Sequence, residues 1–266
     1  VISLPQIGFG TYKLQGEEGI VAIRTALETG YRILDTAAMY ENEIEVGRAI
    51  RESGVPREEI IVTTKIRGRN QGFDEAQEAC RESLRRLGFD YVDLLFIHWP
   101  NPRVNRYVDT WHAMVELKED GLTAEIGVSN FTENTLTRII DATGVTPAVN
   151  QIELHPYFPQ TEMRALHAEL GIVTESWSPL GRKSELLSEP LVAEIAAEHG
   201  VSVAQALLRW HIQIGSIPIP KSATPSRIAE NFDVFGFELT DANMASIASL
   251  ERGRIWDADP DEHEEM

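Results

Sequence analysis

The chain has 266 residues, close to the ~250 of a single eight-stranded α/β barrel. Acidic residues outnumber basic ones by 42 to 24, for a net charge of -18, which repels a phosphate backbone and argues against nucleic-acid binding. The lone cysteine, Cys80, excludes an internal disulfide and suits a reducing cytoplasm. The start, VISLPQIGFG, lacks the basic and apolar parts of a signal peptide, and no apolar run approaches the ~20 residues that span a bilayer.

Short runs rich in β-branched and aliphatic residues follow one another along the chain. Strands are expected near IGFGT (7–11), YRILDT (31–36), IIVTTK (60–65), VDLLFIH (92–98), AEIGVS (124–129), PAVNQIE (147–153), IVTESW (172–177) and SIPIP (216–220). Between them lie stretches of helical period such as EEGIVAIRTALETG, VDTWHAMVELKEDG and EMRALHAELG. Each ends in a Gly suited to the left-handed residue beyond a helix. EPLVAEIAAEHG followed by VSVAQALLRWHIQIG carries two helical patterns, one more than the simple alternation needs.

Repeated strand and helix without a linker predict one domain over residues 1–266, a single (β/α)8 TIM barrel. An open doubly wound sheet would want a Gly-rich turn after its first strand. Gly8-Phe9-Gly10 is followed by Lys13 where a third Gly belongs, so that fingerprint is missing. Residues 253–266, which include RIWDADPDEHEEM, are acidic and predicted to be mobile.

Asp35, Tyr40, Lys65 and His98 stand at or just beyond the ends of three apolar runs. Reactive groups of α/β barrels come from the C-terminal ends of their strands, so the placement predicts a catalytic site. A reaction that builds negative charge on a substrate carbonyl oxygen needs a proton donor within reach, a role Tyr40 can fill. Bringing a Tyr from ~10 toward neutrality takes about 4 kcal/mol. A lysine ammonium ~4 Å away at an effective dielectric near ~20 supplies roughly that much, so Lys65 alone is expected to tune Tyr40. Lys65 needs a counter-ion if buried, and Asp35 fits. His98 either orients the carbonyl or shares in proton transfer. Taken singly, these residues could be a helix cap, a loop aromatic, a snorkelling lysine and a core histidine.

Lys221-Ser222-Ala223-Thr224-Pro225-Ser226-Arg227 lies between the eighth strand and the helix SRIAENF. Two cations and several hydroxyls before a helix N-terminus suit a phosphate ester. The seven histidines show neither HExxH nor a comparable ligand cluster, so no metal is expected.

GYRILDTAAMYENEIEVG (30–47), TTK ending at Lys65, IHWP around His98, GVSNF (127–131), AVNQIELHP (148–156) and IPKSATPSRIAENF (219–232) together resemble the aldo-keto reductase family. Within it, the chain is similar to the bacterial branch that includes 2,5-diketo-gluconic acid reductases. The resemblance runs from Leu4 to about Arg252. It implies an eight-stranded barrel that binds NADPH without the Gly-rich motif, reduces carbonyls to alcohols, and acts as a monomer. It carries the catalytic roles onto Asp35, Tyr40, Lys65 and His98. It further implies that Lys221, Ser222 and Arg227 hold the adenosine 2'-phosphate, and that Glu230 and Asn231 meet the adenine. Ser129, Asn130 and Gln151 would bond the nicotinamide carboxamide, Trp177 would stack on its ring, and Ser178 and Leu180 would lie near the pyrophosphate.

The family commonly carries a Trp shortly after the catalytic lysine, whereas this chain reads Lys65-Ile66-Arg67-Gly68-Arg69. Arg67 or Arg69 is therefore expected to favour carboxylate-bearing or otherwise polar carbonyl substrates. Tyr12, Trp99 and Trp256 are expected pocket walls. The helical stretch RYVDTWHAM begins only eight residues after His98, which predicts a short loop and an open pocket. Two other functions compete with a carbonyl reductase. Lys65 could act as a Schiff-base nucleophile, which requires a neutral lysine that Asp35 would oppose. Alternatively, the barrel could bind NADPH without turnover.

Overall fold

The computed structural model describes residues 3–182 and 184–265. Its strands are β1 (Phe9–Gly10), β2 (Ile33–Asp35), β3 (Ile61–Ile66), β4 (Val92–Ile97), β5 (Thr123–Ser129), β6 (Val149–Glu153), β7 (Val173–Trp177) and β8 (Ser216–Pro218). All neighbours pair parallel in chain order. The sheet closes where Gly8 N–H donates to Pro218 O at 3.0 Å and Gly10 N–H donates to Pro220 O at 2.9 Å. Pro218 and Pro220 have no N–H to return, so this seam is held by bonds in one direction. The strands approach closely there: a Cβ on Gly8 would lie 2.6 Å from Ile219 Cδ1, so that side chain would have to move. The eight-stranded α/β barrel expected from the sequence is the observed fold.

Helices cover the outside, and two of them, Pro190–His199 and Val203–Gln213, precede β8 as the doubled pattern predicted. Their apolar faces join Ile23, Leu27, Val46, Leu84, Met114, Leu136 and Leu207 in buried clusters, each such side chain stabilising by roughly 1.5–3 kcal/mol.

The interior of the barrel positions the site. Successive side chains of a strand alternate between its faces, so residues two apart share one. Ile33, Ile217 and Ile219 pack with Ile61 and Val173, while Leu94, Phe96 and Val149 form a second cluster, with Leu4 touching both. Two residues further along the same faces the apolar floor gives way to polar groups. Ile33 leads to Asp35, Phe96 to His98, Val149 to Gln151 and Val173 to Glu175, and Ile61 leads through Thr63 to Lys65.

Residues 253–265 depart from expectation. They pack against the barrel instead of standing free: Glu153 Oε1 accepts the N–H of Ile255 at 2.8 Å and of Trp256 at 3.1 Å. Further along, Asn101 Nδ2 donates to Glu265 O at 2.6 Å. An acidic composition predicted mobility, but these buried partners outweigh it.

Candidate active site

Lys65, on β3, reaches across the barrel interior to β2, with Nζ 2.6 Å from Asp35 Oδ1 and 3.0 Å from Thr36 O. Thr63 Oγ1 and Gln151 Nε2 also donate to Asp35 Oδ1, at 3.1 and 2.9 Å. Burial is the largest influence on Lys65 and works against its charge. The charges of Asp35, Tyr40 and Glu175 and the bond to Asp35 outweigh it and raise the ammonium pKa above its ordinary value. A lysine held charged opposes the Schiff-base reading.

Tyr40 ends a short turn, Ala38–Tyr40, directly after β2. Buried Asn42 ties this turn down by donating to Thr11 O at 2.7 Å and Leu14 O at 2.9 Å while accepting from Thr36 Oγ1 at 2.8 Å. The turn folds the phenol back over the barrel mouth, with Lys65 Nζ 5.2 Å from its ring centre and the His98 ring 5.8 Å away. Burial pushes the hydroxyl up to about 12, against the Lys65 charge and with help from Asp35. The expectation that Lys65 alone brings Tyr40 toward neutrality is therefore corrected. Desolvation favours the neutral phenol, and Asp35 offsets part of the lysine charge.

Glu175 was not anticipated. It is fully buried on β7, where Gln151 Nε2 donates to its Oε2 at 2.9 Å. Burial first, and then the Asp35 charge, raise its carboxyl to about 7. In the sequence it is one letter of an apolar-looking strand, VTESW.

A cavity of about 890 Å³ opens beside Asp35 and Tyr40, within the range of ligand sites. Asp35, Tyr40 and His98 line it at one end, and Lys221, Ser222, Arg227, Glu230 and Asn231 at the other. Ser129, Asn130, Gln151, Trp177, Ser178 and Leu180 lie along it as well. Asn130, with φ at 63°, turns its side chain so that Nδ2 donates to His98 O at 3.1 Å and Oδ1 accepts from Trp177 Nε1 at 2.7 Å. Ser129 Oγ donates to Gln151 O at 2.8 Å. These bonds fix the orientation of the indole. Tyr12, Trp99 and Trp256 also line the cavity, Tyr12 edge-on to Tyr40 at 5.1 Å and Trp256 to Trp177 at 5.8 Å.

At the far end, Thr224 N–H donates to Ser222 Oγ at 3.0 Å, which turns the chain into the helix Pro225–Phe232. Burial, with the neighbouring charges of Arg182 and Lys13, lowers the Lys221 pKa. Cations gathered so closely in an acidic protein suit an anionic ligand. Lys13 and Arg182 line the cavity too and escaped the sequence reading, although GRKS after the seventh strand is a basic run in a chain of charge -18.

Arg67 is not among the residues that line this cavity. Its charge instead helps hold the Glu265 carboxyl low. The pocket is also less open than the short loop after His98 suggested, because the His263 ring packs at a tilt 4.4 Å from Trp99 and Glu265 lies against His98. Among the described residues, no cluster of His, Cys, Asp or Glu could hold a metal ion.

Residues 6–252 match the Aldo/keto reductase family. The chain is 60% identical over 259 residues to 2,5-diketo-D-gluconic acid reductase B from Corynebacterium sp. (strain SHS752001), covering 97% of this chain and 94% of that one. The crystal structure of a mutant of Gox0644 in complex with NADPH superposes with a TM-score of 0.93 at 45% identity, over 98% of this chain and 94% of the other. An aldo/keto reductase from Brucella melitensis gives a TM-score of 0.90 at 48% identity, over 93% and 95% of the two chains. With barrel, site and sequence in agreement, the chain belongs to the aldo/keto reductase family and is an oxidoreductase.

Proposed function

We propose that the protein reduces small carbonyl compounds to alcohols with NADPH, with Tyr40 as general acid. The observation that carries this reading is one cavity with Tyr40, His98 and Asp35 at one end, Lys65 bonded to Asp35 just beneath, and Lys221 and Arg227 at the other. The residues fit the cofactor: a flat indole at Trp177, buried polar groups at Ser129, Asn130 and Gln151, and a cationic end at a helix N-terminus. Lys221, Ser222 and Arg227 would hold the 2'-phosphate, with Glu230 and Asn231 at the adenine. Ser178 and Leu180 would border the pyrophosphate, joined by Lys13 and Arg182.

When bound, the dihydronicotinamide supplies the hydride. Tyr40, kept protonated by burial, gives its proton to the substrate oxygen as negative charge develops there. Lys65 then faces the phenolate so formed, and its ammonium stabilises that charge in a site of low dielectric. Asp35 keeps Lys65 charged and fixed. His98 holds the carbonyl oxygen within reach of Tyr40, while Tyr12, Trp99 and Trp256 exclude water.

Keto sugar acids are the favoured substrate class, supported by the relative named 2,5-diketo-D-gluconic acid reductase B. Dicarbonyls and aldehydes are smaller members of the same set. The Arg67 charge faces Glu265, so the reading does not rely on it for substrate carboxylates. One chain supplies every residue invoked, which supports action as a monomer. The test is nucleotide oxidation with methylglyoxal, a keto-aldose and a keto sugar acid, comparing NADPH with NADH. Turnover that prefers NADPH supports the reading. Saturable NADPH binding with no oxidation by any of the three would favour a barrel that binds without catalysis.

A further inference from the structure

Gln151 and Glu175 stand in register on adjacent parallel strands, β6 and β7. Gln151 lines the cavity, whereas Glu175, fully buried, is not among the lining residues. The Gln151 amide nitrogen, Nε2, donates to Asp35 Oδ1 and to Glu175 Oε2, both at 2.9 Å. A side-chain amide carries two hydrogens on its nitrogen and only lone pairs on its oxygen. The two bonds use both hydrogens, so Oε1 is the polar atom of Gln151 left for a ligand.

The neighbours of this amide decide which of its ends faces them. Turned over, it would set its oxygen against two carboxyl oxygens in a buried place, which is strongly unfavourable. Asp35 has other work, since its Oδ1 also accepts from Lys65 and Thr63. Glu175, among the described residues, makes one side-chain hydrogen bond, the one to Gln151. Its other oxygen, Oε1, is buried without a hydrogen-bond partner. A buried carboxyl with one oxygen unpaired costs stability, so packing does not account for a glutamate at this position. Its hold on Gln151 does.

We propose that Glu175 is a positioning residue for the cofactor, holding the Gln151 amide so that Oε1 faces the cavity as an acceptor for the carboxamide N–H of the nicotinamide. The inference rests on the reading of this cavity as the NADPH site with Gln151 at the nicotinamide. With Asp35 as its one anchor, the amide could pivot about a single bond and present its second Nε2 hydrogen to the ligand. With Glu175 as the second anchor it presents a fixed acceptor. A fixed acceptor selects a group that donates, which a carboxamide NH2 does and a methyl in its place does not.

The test measures, by calorimetry, the binding of three ligands to the parent, Glu175→Leu and Glu175→Gln. They are NADP+, its acetylpyridine analogue, in which a methyl replaces the carboxamide NH2, and 2'-phospho-ADP-ribose, which lacks the nicotinamide. The parent is expected to bind NADP+ about 10-fold more tightly than the analogue, the equivalent of one hydrogen bond. In Glu175→Leu that preference should largely disappear, with affinity for 2'-phospho-ADP-ribose unchanged. Glu175→Gln keeps an oxygen for the Gln151 N–H and should retain the preference. Glu175→Met removes the acceptor with a different shape and covers the case in which Glu175→Leu fails to fold. A general loosening of the barrel would instead weaken all three ligands together and leave the preference intact, which overturns the proposal. So does a parent that binds 2'-phospho-ADP-ribose and NADP+ but takes the analogue as tightly as NADP+, an outcome that leaves the cofactor reading standing. A parent that binds none of the three overturns the cofactor reading and this inference with it.

Discussion

Lys65 Nζ lies 2.6 Å from Asp35 Oδ1 with the two side chains 0% and 5% exposed. Removing one partner of such a pair strands a charge. Asp35→Asn should cost about 3–5 kcal/mol of stability, measured by urea denaturation at neutral pH. The double variant Asp35→Asn, Lys65→Met should regain much of that. The Lys65 pKa is raised in the folded state above 10.5. The stabilisation is therefore fully present below that pH and is lost as pH rises through the folded value.

Glu175 sets a different pH dependence. Its carboxyl moves from 4.5 unfolded to about 7 folded. The folded protein therefore binds that proton more tightly, and the associated stability is present below 4.5 and lost as pH rises through about 7. Glu175→Gln mimics the neutral acid. Urea titrations should find it close to the parent near the low end of that window and more stable by about 1–3 kcal/mol above it. Equal stability of the two at mildly alkaline pH would show that Glu175 stays charged at little cost.

The cationic end of the cavity carries a prediction about cofactor choice. Arg227→Ala should weaken NADPH by roughly 10–100-fold, the equivalent of a charge-assisted bond of about 1.5–3 kcal/mol. NADH should be nearly unaffected. Fluorescence titrations with both nucleotides check this, and equal losses would place Arg227 on a group that the two share.

The parts of the site that were legible in the sequence are those that local periodicity determines. Asp35, Lys65 and His98 end runs whose two-residue alternation puts them on the inner face of the barrel, and Lys221 and Arg227 flank a helix start. Groups that depend on distant partners were not legible. Glu175 looks like a strand residue until Gln151 bonds it, and Asn42 looks like a turn residue until Thr11 and Leu14 do. The acidic composition of residues 253–265 pointed to a solvated segment, because Glu153 and Asn101, which bind it, lie more than a hundred positions away. The acidity of Tyr40 was misjudged for a related reason. One lysine was weighed without the burial that dominates it.

The central claim is that Tyr40 is the proton donor in carbonyl reduction. The most direct measurement is a single-turnover reaction of the NADPH-loaded protein with a keto sugar acid, parent against Tyr40→Phe, with NADPH affinity measured in parallel. The account predicts unchanged NADPH binding and a hydride-transfer rate lower by about 100–10,000-fold in the variant, the range for loss of a general acid. A Tyr40→Phe protein that reduces the substrate at the parent's rate would contradict it.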